Sequence, residues 1–238
     1  MYPLATVCKA GLDPWDASYS CLWFLDARTC VDDGSGKASS CPDKVGGADF
    51  TQATSGSRWL LTGSPQYCYS NASAVRRLTR SGEDGTRFQQ INGGNYTILM
   101  RSRTVSANVS AGYHDTLGTG AARVYELNSR DNVNMRRTTA SVNEDQSTSH
   151  SALTSDTWHT IAAAKYITSG DVYAWLDGAA LGTAGTIGTD IVETLSVASM
   201  GQVTNLANGG WGFVGAYAKA LSDAEVLAIH NVLAAVYV

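Results

Sequence analysis

The sequence predicts an all-β chain, a two-sheet antiparallel sandwich with one short helix at its C-terminal end. Three observations carry this. Helical periodicity is nearly absent. Short alternating apolar–polar runs recur between Gly, Asn, Asp and Ser turns. A single capped amphipathic segment stands near the end. With 238 residues and 44% hydrophobic content the chain can fill one large sandwich core, and no repeat or linker divides it, so residues 1–238 are expected to form one domain.

The elements follow in order. Residues 1–57 read as an irregular, Cys-containing arm and loop region. Within it the apolar run 19–25, Tyr-Ser-Cys-Leu-Trp-Phe-Leu, suits a buried strand, and a short strand is expected near Phe50. Residues 58–62 form another short candidate. In 96–103, Tyr96, Ile98 and Met100 share one face and Thr97, Leu99, Arg101 and Arg103 the other. Strands are expected at 107–113, 122–128 and 132–139, the last two joined by a turn over 128–132. Residues 140–156 are polar and read as a loop. Further strands are expected at 158–165, 171–176, 191–198 and 211–218. Leu221-Ser-Asp-Ala-Glu225 is a capping box, with Ser222 as cap, Glu225 reaching back, and Leu221 and Val226 as the hydrophobic staple. It predicts a helix over 223–234 whose Val226, Ile229 and Leu233 face the sandwich.

Composition bounds the function. Charged residues are only 16% and the formal net charge is −4, so a basic nucleic-acid-binding surface is excluded. The one basic cluster, Arg76, Arg77 and Arg80, is expected in a solvated or salt-bridged turn. No stretch approaches the ~20 apolar residues of a membrane span, and the opening MYPLATVCKAGLDPW has neither the basic nor the apolar region of a signal peptide. Five cysteines, Cys8, Cys21, Cys30, Cys41 and Cys68, show no C-x-x-C pair. Cys30 and Cys41 flank a Gly/Ser/Asp loop and are the best disulfide pair under oxidising conditions, with free thiols the equal alternative.

Catalytic constellations are missing. Glu83, Glu126, Glu144, Glu193 and Glu225 lack a strand-spaced carboxylate partner of the kind a glycosidase needs. There is no G-x-S-x-G. Gly34-Ser-Gly-Lys37 is followed by Ala38 where a phosphate loop requires Ser or Thr. The four histidines, His114, His150, His159 and His230, are scattered. The expectation is a protein that is not an enzyme.

The C-terminal third carries a resemblance. It reads Asp156-Thr-Trp158-His159, then Asp171-Val-Tyr-Ala-Trp175-Leu-Asp177-Gly178, then Gly209-Gly-Trp211-Gly-Phe213-Val-Gly215-Ala-Tyr217, and ends in Leu221-Ser-Asp-Ala-Glu225. This resembles the laminin-G-like, concanavalin A-like family, in which a Trp-His strand precedes an Asp-Gly hairpin and a Gly-rich strand leads into a capped helix. The resemblance covers about residues 156–234 and implies a two-sheet antiparallel jelly roll. Similar domains serve as glycan-binding lectins, as adhesion modules, and in bacteriophage head and tail proteins.

By that analogy the chain is expected to be a non-enzymatic binding module on a phage virion surface, in capsid decoration or tail adhesion. It would contact the major capsid or another virion protein, as a homo-oligomer, and take cell-surface glycan. A free carbohydrate-binding lectin is the alternative and a glycoside hydrolase a distant third. No cofactor is required. Relatives that hold calcium make Asp32 and Asp33, with Asp43 and Asp49, weak metal candidates against the reading of solvated turns.

Sugar binding needs exposed aromatics. On 171–176, Tyr173 and Trp175 share one face, opposite Val172, Ala174 and Leu176. On 211–218, Trp211, Phe213 and Tyr217 oppose Val214 and Ala216. One face of each strand is core. If the aliphatic faces are core, Tyr173, Trp175 and Trp211 form a glycan or partner platform; otherwise they are packing residues.

Overall fold

Period-two patterning yields two stacked antiparallel sheets. The computed structural model describes residues 13–71, 76–81, 94–104, 109–114, 123–129, 132–138, 143–149, 156–166, 168–186, 197–201 and 208–238. Their strands are β1 (Cys21–Asp26), β2 (Val31–Asp32), β3 (Ala38–Cys41), β4 (Phe50–Thr51), β5 (Leu60–Thr62), β6 (Tyr67–Asn71), β7 (Arg77–Ser81), β8 (Tyr96–Thr104) and β9 (Val109–His114). They continue with β10 (Arg123–Ser129), β11 (Asn132–Thr138), β12 (Asn143–Ser149), β13 (Trp158–Lys165), β14 (Asp171–Leu176), β15 (Ala179–Thr186), β16 (Val197–Gly201) and β17 (Asn208–Tyr217), followed by helix α1 (Asp223–Ala234). The first sheet runs β15-β14-β13-β8-β17-β6-β5, with β1 also paired to β17; the second runs β12-β11-β10-β9-β16-β7-β4-β3-β2.

Two apolar layers result. Between the sheets lie Trp23, Trp59, Ile98, Met100, Ile161, Trp211 and Val214 from the first sheet's side and Phe50, Leu78 and Met200 from the second's. A second layer covers the first sheet's outer face: Phe24, Leu99, Ala162, Ala164, Trp175, Phe213 and Tyr217 pack under Val226, Ile229 and Leu233 of α1 and Tyr237 of the tail. The first sheet is therefore buried on both faces. That explains the near-continuous burial of β13, whose Ile161 and Ala163 face the second sheet while Ala162 and Ala164 face the helix. Alanine on that outer side leaves room for the indole and the helix above it.

The helix forms where expected. Ser222 caps it, its side chain accepting from the Glu225 amide while Glu225 reaches back to the cap. The hairpin at Asp177-Gly178 also forms, with φ of 50° and 79°, the mirror-image turn that suits strand twist.

Several expectations are corrected. Residues 143–149 are strand β12, paired along their length with β11, rather than loop. The stretch Asn-Glu-Asp-Gln-Ser-Thr-Ser has no apolar alternation to announce it, because an edge strand can be held by its ladder alone. Strands β2, β3, β6, β7 and β15 are not among those expected, so the described part of 1–57 is more regular than an arm and loop region; β16 starts at Val197, and residues 191–196 of the expected strand lie outside the described residues. The basic cluster lies on and just before β7 rather than in a turn, and of the two alternatives the salt-bridged one holds, at Arg80, not the solvated one. Alternate residues of this strand point inward, so Arg76 and Arg80 are buried. Arg76 donates to the carbonyl of Arg58 at 2.5 Å, and Arg80 pairs with Asp43 at 2.6 Å.

The grouping of Trp211 with Phe213 and Tyr217 is also overturned. A bulge between Trp211 and Phe213 in the β8–β17 ladder shifts the alternation by one residue. Trp211 thus lies between the sheets with Val214 and Ala216, while Phe213 and Tyr217 lie under the helix. Gly212 makes this possible, since a Cβ there would strike the Tyr237 ring. Gly212→Ala is expected to lower stability by about 1–3 kcal/mol through overpacking, read from the denaturant midpoint. Gly56→Ala, where a Cβ meets nothing within 4 Å, is the matched control and should stay within about 0.5 kcal/mol. Ser222→Ala should cost about 1 kcal/mol by removing the cap.

Candidate functional site

The expected aromatic platform divides into three cases. Trp211 is fully buried between the sheets and offers no face to a ligand. Trp175 lies on the outer face of β14 but is only 2% exposed, because α1 lies over it. Its indole Nε1 donates to Asp223 Oδ1 at 2.8 Å, which ties the strand to the first turn of the helix. Trp175 and Trp211 are therefore packing residues, the second alternative the sequence leaves open, and the aliphatic residues Val172 and Ala174 of β14 are core as well. Tyr173 alone remains half-buried, at the margin of the covering layer.

Tyr173 has a partner that the sequence did not single out. Tyr166 follows β13 in the connection to β14, a tight turn closed by Tyr166 N to Asp171 O at 2.9 Å and Gly170 N to Tyr166 O at 2.8 Å. The two half-buried rings meet with centroids 5.0 Å apart and planes at 66°. Burial raises the Tyr166 phenol, and Tyr173, Asp223 and Glu225 raise it further, so Tyr166 lies in the field of the acidic first turn of α1. The same holds for buried Tyr19, raised by burial and then by Glu225 and Asp16, with Lys219 opposing. Lys219 pairs with Glu225 at 2.5 Å, and the Ser222 amide and hydroxyl both donate to Glu225 Oε2 at 2.9 Å.

The result is a two-ring aromatic edge within electrostatic reach of the acidic first turn of α1. An apolar ring face next to directed polar groups can bind a flat, hydroxylated ligand face. Spacing along β14 pointed to Tyr173. Tyr166 and Asp223 were missed because they come from a turn and a helix, which only the tertiary fold brings beside that strand.

The remaining candidates have other work. Asp32 Oδ1 accepts from the Gly34 and Gly36 amides at 2.8 and 2.9 Å. Asp33 accepts from the Ser35 amide and hydroxyl and from Arg58, which together hold its carboxyl well below the usual range. These oxygens order the loop and face amides and a guanidinium rather than a common cation position. Asp43 is likewise taken up by Arg80 and by the Phe24 and Val45 amides. Among the described residues no group of three or more His, Cys, Asp or Glu is arranged to hold a metal. Cys30 and Cys41 are free buried thiols rather than a disulfide, and the hydrogen bond to the Cys30 sulfur comes from Cys68 at 3.7 Å.

His159 and Asp177 form a second polar cluster. His159 Nδ1 lies 2.7 Å from Asp177 Oδ2, and Asp177 Oδ1 accepts from the Thr160 amide at 2.8 Å. Buried Arg101 donates to Thr160 Oγ1 at 3.2 Å and to the Tyr237 carbonyl at 2.6 Å, and lies 3.4 Å from Asp177 Oδ1. His230 of α1 meets Thr160 Oγ1 at 2.9 Å. Apart from the Arg101–Thr160 bond within the sheet, these contacts join the sheet to the hairpin, the helix or the tail, so the cluster locks the covering layer down. Burial would raise the Asp177 carboxyl, but the His159 and Thr160 hydrogen bonds and the charges of His159 and Arg101 outweigh it and lower it.

No family model matches the chain, and no curated protein sequence matches it. Solved structures match the fold. A receptor-binding domain is 11% identical with a TM-score of 0.66, over 92% of this chain and 53% of that one. The binding domain of botulinum neurotoxin DC in complex with SialylT is 10% identical with a TM-score of 0.58, over 92% of this chain and 52% of that one. Trypanosoma rangeli sialidase is 13% identical with a TM-score of 0.58, over 90% of this chain and 33% of the enzyme. The chain spans about half the length of the two binding domains and a third of the sialidase. These likenesses agree with the jelly-roll β-sandwich seen in the strand order; no virion protein is among the three.

The Asp177 cluster makes a pH prediction. A carboxyl with a lowered folded value stabilises the protein in full above its ordinary value of 3.8, and that contribution is lost as pH falls through the lower folded value. Asp177→Asn, which tolerates the same left-handed turn, should lower the thermal midpoint at neutral pH. It should also flatten the loss of stability between about pH 5 and about pH 2.5.

Proposed function

We propose that this chain is a lectin-like binding module that seats a sugar ring on the Tyr166–Tyr173 edge. Hydroxyl groups of the sugar would be held by acceptors at the first turn of α1. The observation that carries the reading is the half-buried ring pair, 5.0 Å between centroids, at the margin of the layer that covers the first sheet. Large aromatics beside directed polar groups are what carbohydrate recognition asks of a protein surface. A jelly-roll neighbour described in complex with SialylT supports glycans as the ligand class by analogy of fold.

Binding is favoured over hydrolysis. Asp223 and Glu225, whose charges reach Tyr166, are engaged by the Trp175 indole and by Lys219 and the helix cap. A general acid or base needs a carboxyl free to exchange its proton with the substrate. The sialidase likeness covers only a third of that enzyme and carries the fold.

The test is a glycan array carrying neutral and sialylated oligosaccharides, with titration calorimetry on the strongest hit. Tyr173→Ala and Tyr166→Ala should each weaken binding by roughly tenfold, the loss expected from one stacking ring. The thermal midpoint should shift little by comparison. No binding to any glycan, or binding unchanged in both variants, would sink the reading.

A further inference from the structure

Three of the cysteines meet inside the protein. Cys30 follows the tight turn Ala27–Thr29, Cys41 ends β3 and Cys68 lies in β6. All three belong to the apolar layer between the sheets, and none is more than 7% exposed. Cys30 sits in the middle: the Cys41 and Cys68 thiols both act on its own. The two neighbours differ in what their thiols do. Cys68 donates to Cys30 Sγ at 3.7 Å, whereas Cys41 donates to the Asp26 carbonyl at 3.5 Å.

The surroundings hold Cys30 toward Cys68. Gln66, two residues before Cys68, donates through Nε2 to the carbonyls of Ala27 at 2.9 Å and Cys30 at 3.4 Å. The Tyr237 hydroxyl donates to the Gln66 carbonyl. The turn bearing Cys30 and the segment leading into β6 are thus pinned together before any covalent bond is made. Cys41 ends the β3 strand, which pairs with β2 and, through Cys41 itself, with Phe50 of β4.

We propose that Cys30 and Cys68 are a disulfide-forming pair that ties the second sheet's β2 to the first sheet's β6, and that Cys41 is the thiol left reduced. This replaces the pairing of Cys30 with Cys41 that the spacing favours. The oxidant is a small-molecule disulfide such as oxidised glutathione. The Cys30 thiolate, the more exposed of the pair, attacks it; the glutathione S–S bond breaks and one glutathione leaves. The Cys68 thiolate then attacks the mixed disulfide at Cys30 and displaces the second glutathione. Two protein S–H bonds are exchanged for one S–S bond, and both protons end on the two glutathione thiols. The protein loses two electrons and glutathione gains them. Burial pushes all three thiols above their ordinary value, so the bond forms during folding, before the core closes, rather than in the finished protein.

The experiment is refolding of the full chain from denaturant in a buffer of oxidised and reduced glutathione, followed by peptide mapping without reduction. The expected product is the Cys30–Cys68 peptide. Its thermal midpoint should lie roughly 5–10 °C above that of the reduced chain and return on reduction, as closure of the loop between the two cysteines implies. Cys41→Ser should keep both the peptide and the shift, and Cys68→Ser should lose both. Should Cys68→Ser fail to fold, the wild-type map still decides. A dominant Cys30–Cys41 or Cys41–Cys68 peptide, or three thiols that all remain alkylatable after refolding, overturns the proposal.

Discussion

Trp175 points away from the second sheet, toward what would be solvent in a plain two-layer sandwich, yet it is almost fully buried and hydrogen-bonded to Asp223. Leaving that side of the first sheet uncovered would expose Phe24, Leu99, Phe213 and Tyr217 as well. At about 1.5–3 kcal/mol for each large apolar side chain, the gain from covering them exceeds what a capped helix of this length contributes by itself. The helix and tail are therefore a third layer held by the sheet, and the rest of the architecture accommodates them.

The accommodation is visible in small residues and polar anchors. Ala162 and Ala164 leave space for the indole, and Gly212 leaves space for the Tyr237 ring. Arg101 holds the tail through the Tyr237 carbonyl, and His230 holds the helix through Thr160. On the other side of the first sheet, Asp43 performs a similar task between the layers. One of its oxygens accepts from the Phe24 amide of β1 and the other from Arg80 of β7, whose guanidinium also lies 4.6 Å from the Phe50 ring centre. Both side chains are at most 3% exposed, and removing one partner of such a pair commonly costs about 3–5 kcal/mol.

The candidate site and the cysteine cluster are consequences of the same layering. The tyrosine edge exists because the covering layer ends there: α1 begins at Asp223 over Trp175, and the neighbouring Tyr173 is left half-open. The cysteines meet because the turn after β1 crosses toward the second sheet just where β6 passes on the first. One lies at the rim of a core and the other in its middle, and the difference in burial separates a surface for ligand from a place for a covalent tie.

Much of this was legible in the residues alone. The Ser222–Glu225 box, the helix it starts and the inward faces of Val226, Ile229 and Leu233 came directly from local chemistry, because a cap needs only four consecutive residues. So did the Asp177-Gly178 hairpin and most strands with an apolar alternation. Strand β12 was not legible, since ladder pairing leaves no trace in side-chain type. The bulge at Gly212 was not either, and by shifting the alternation one residue it sent Trp211 to the opposite side from Phe213. Nor could the strand pattern say that β14 is buried on both faces. Sequence determines which residues are apolar and with what period; what lies against each face depends on a helix 48 residues further along the chain. Only the tertiary structure, through the burial that contact completes, decided that Trp175 is core and Tyr173 is edge.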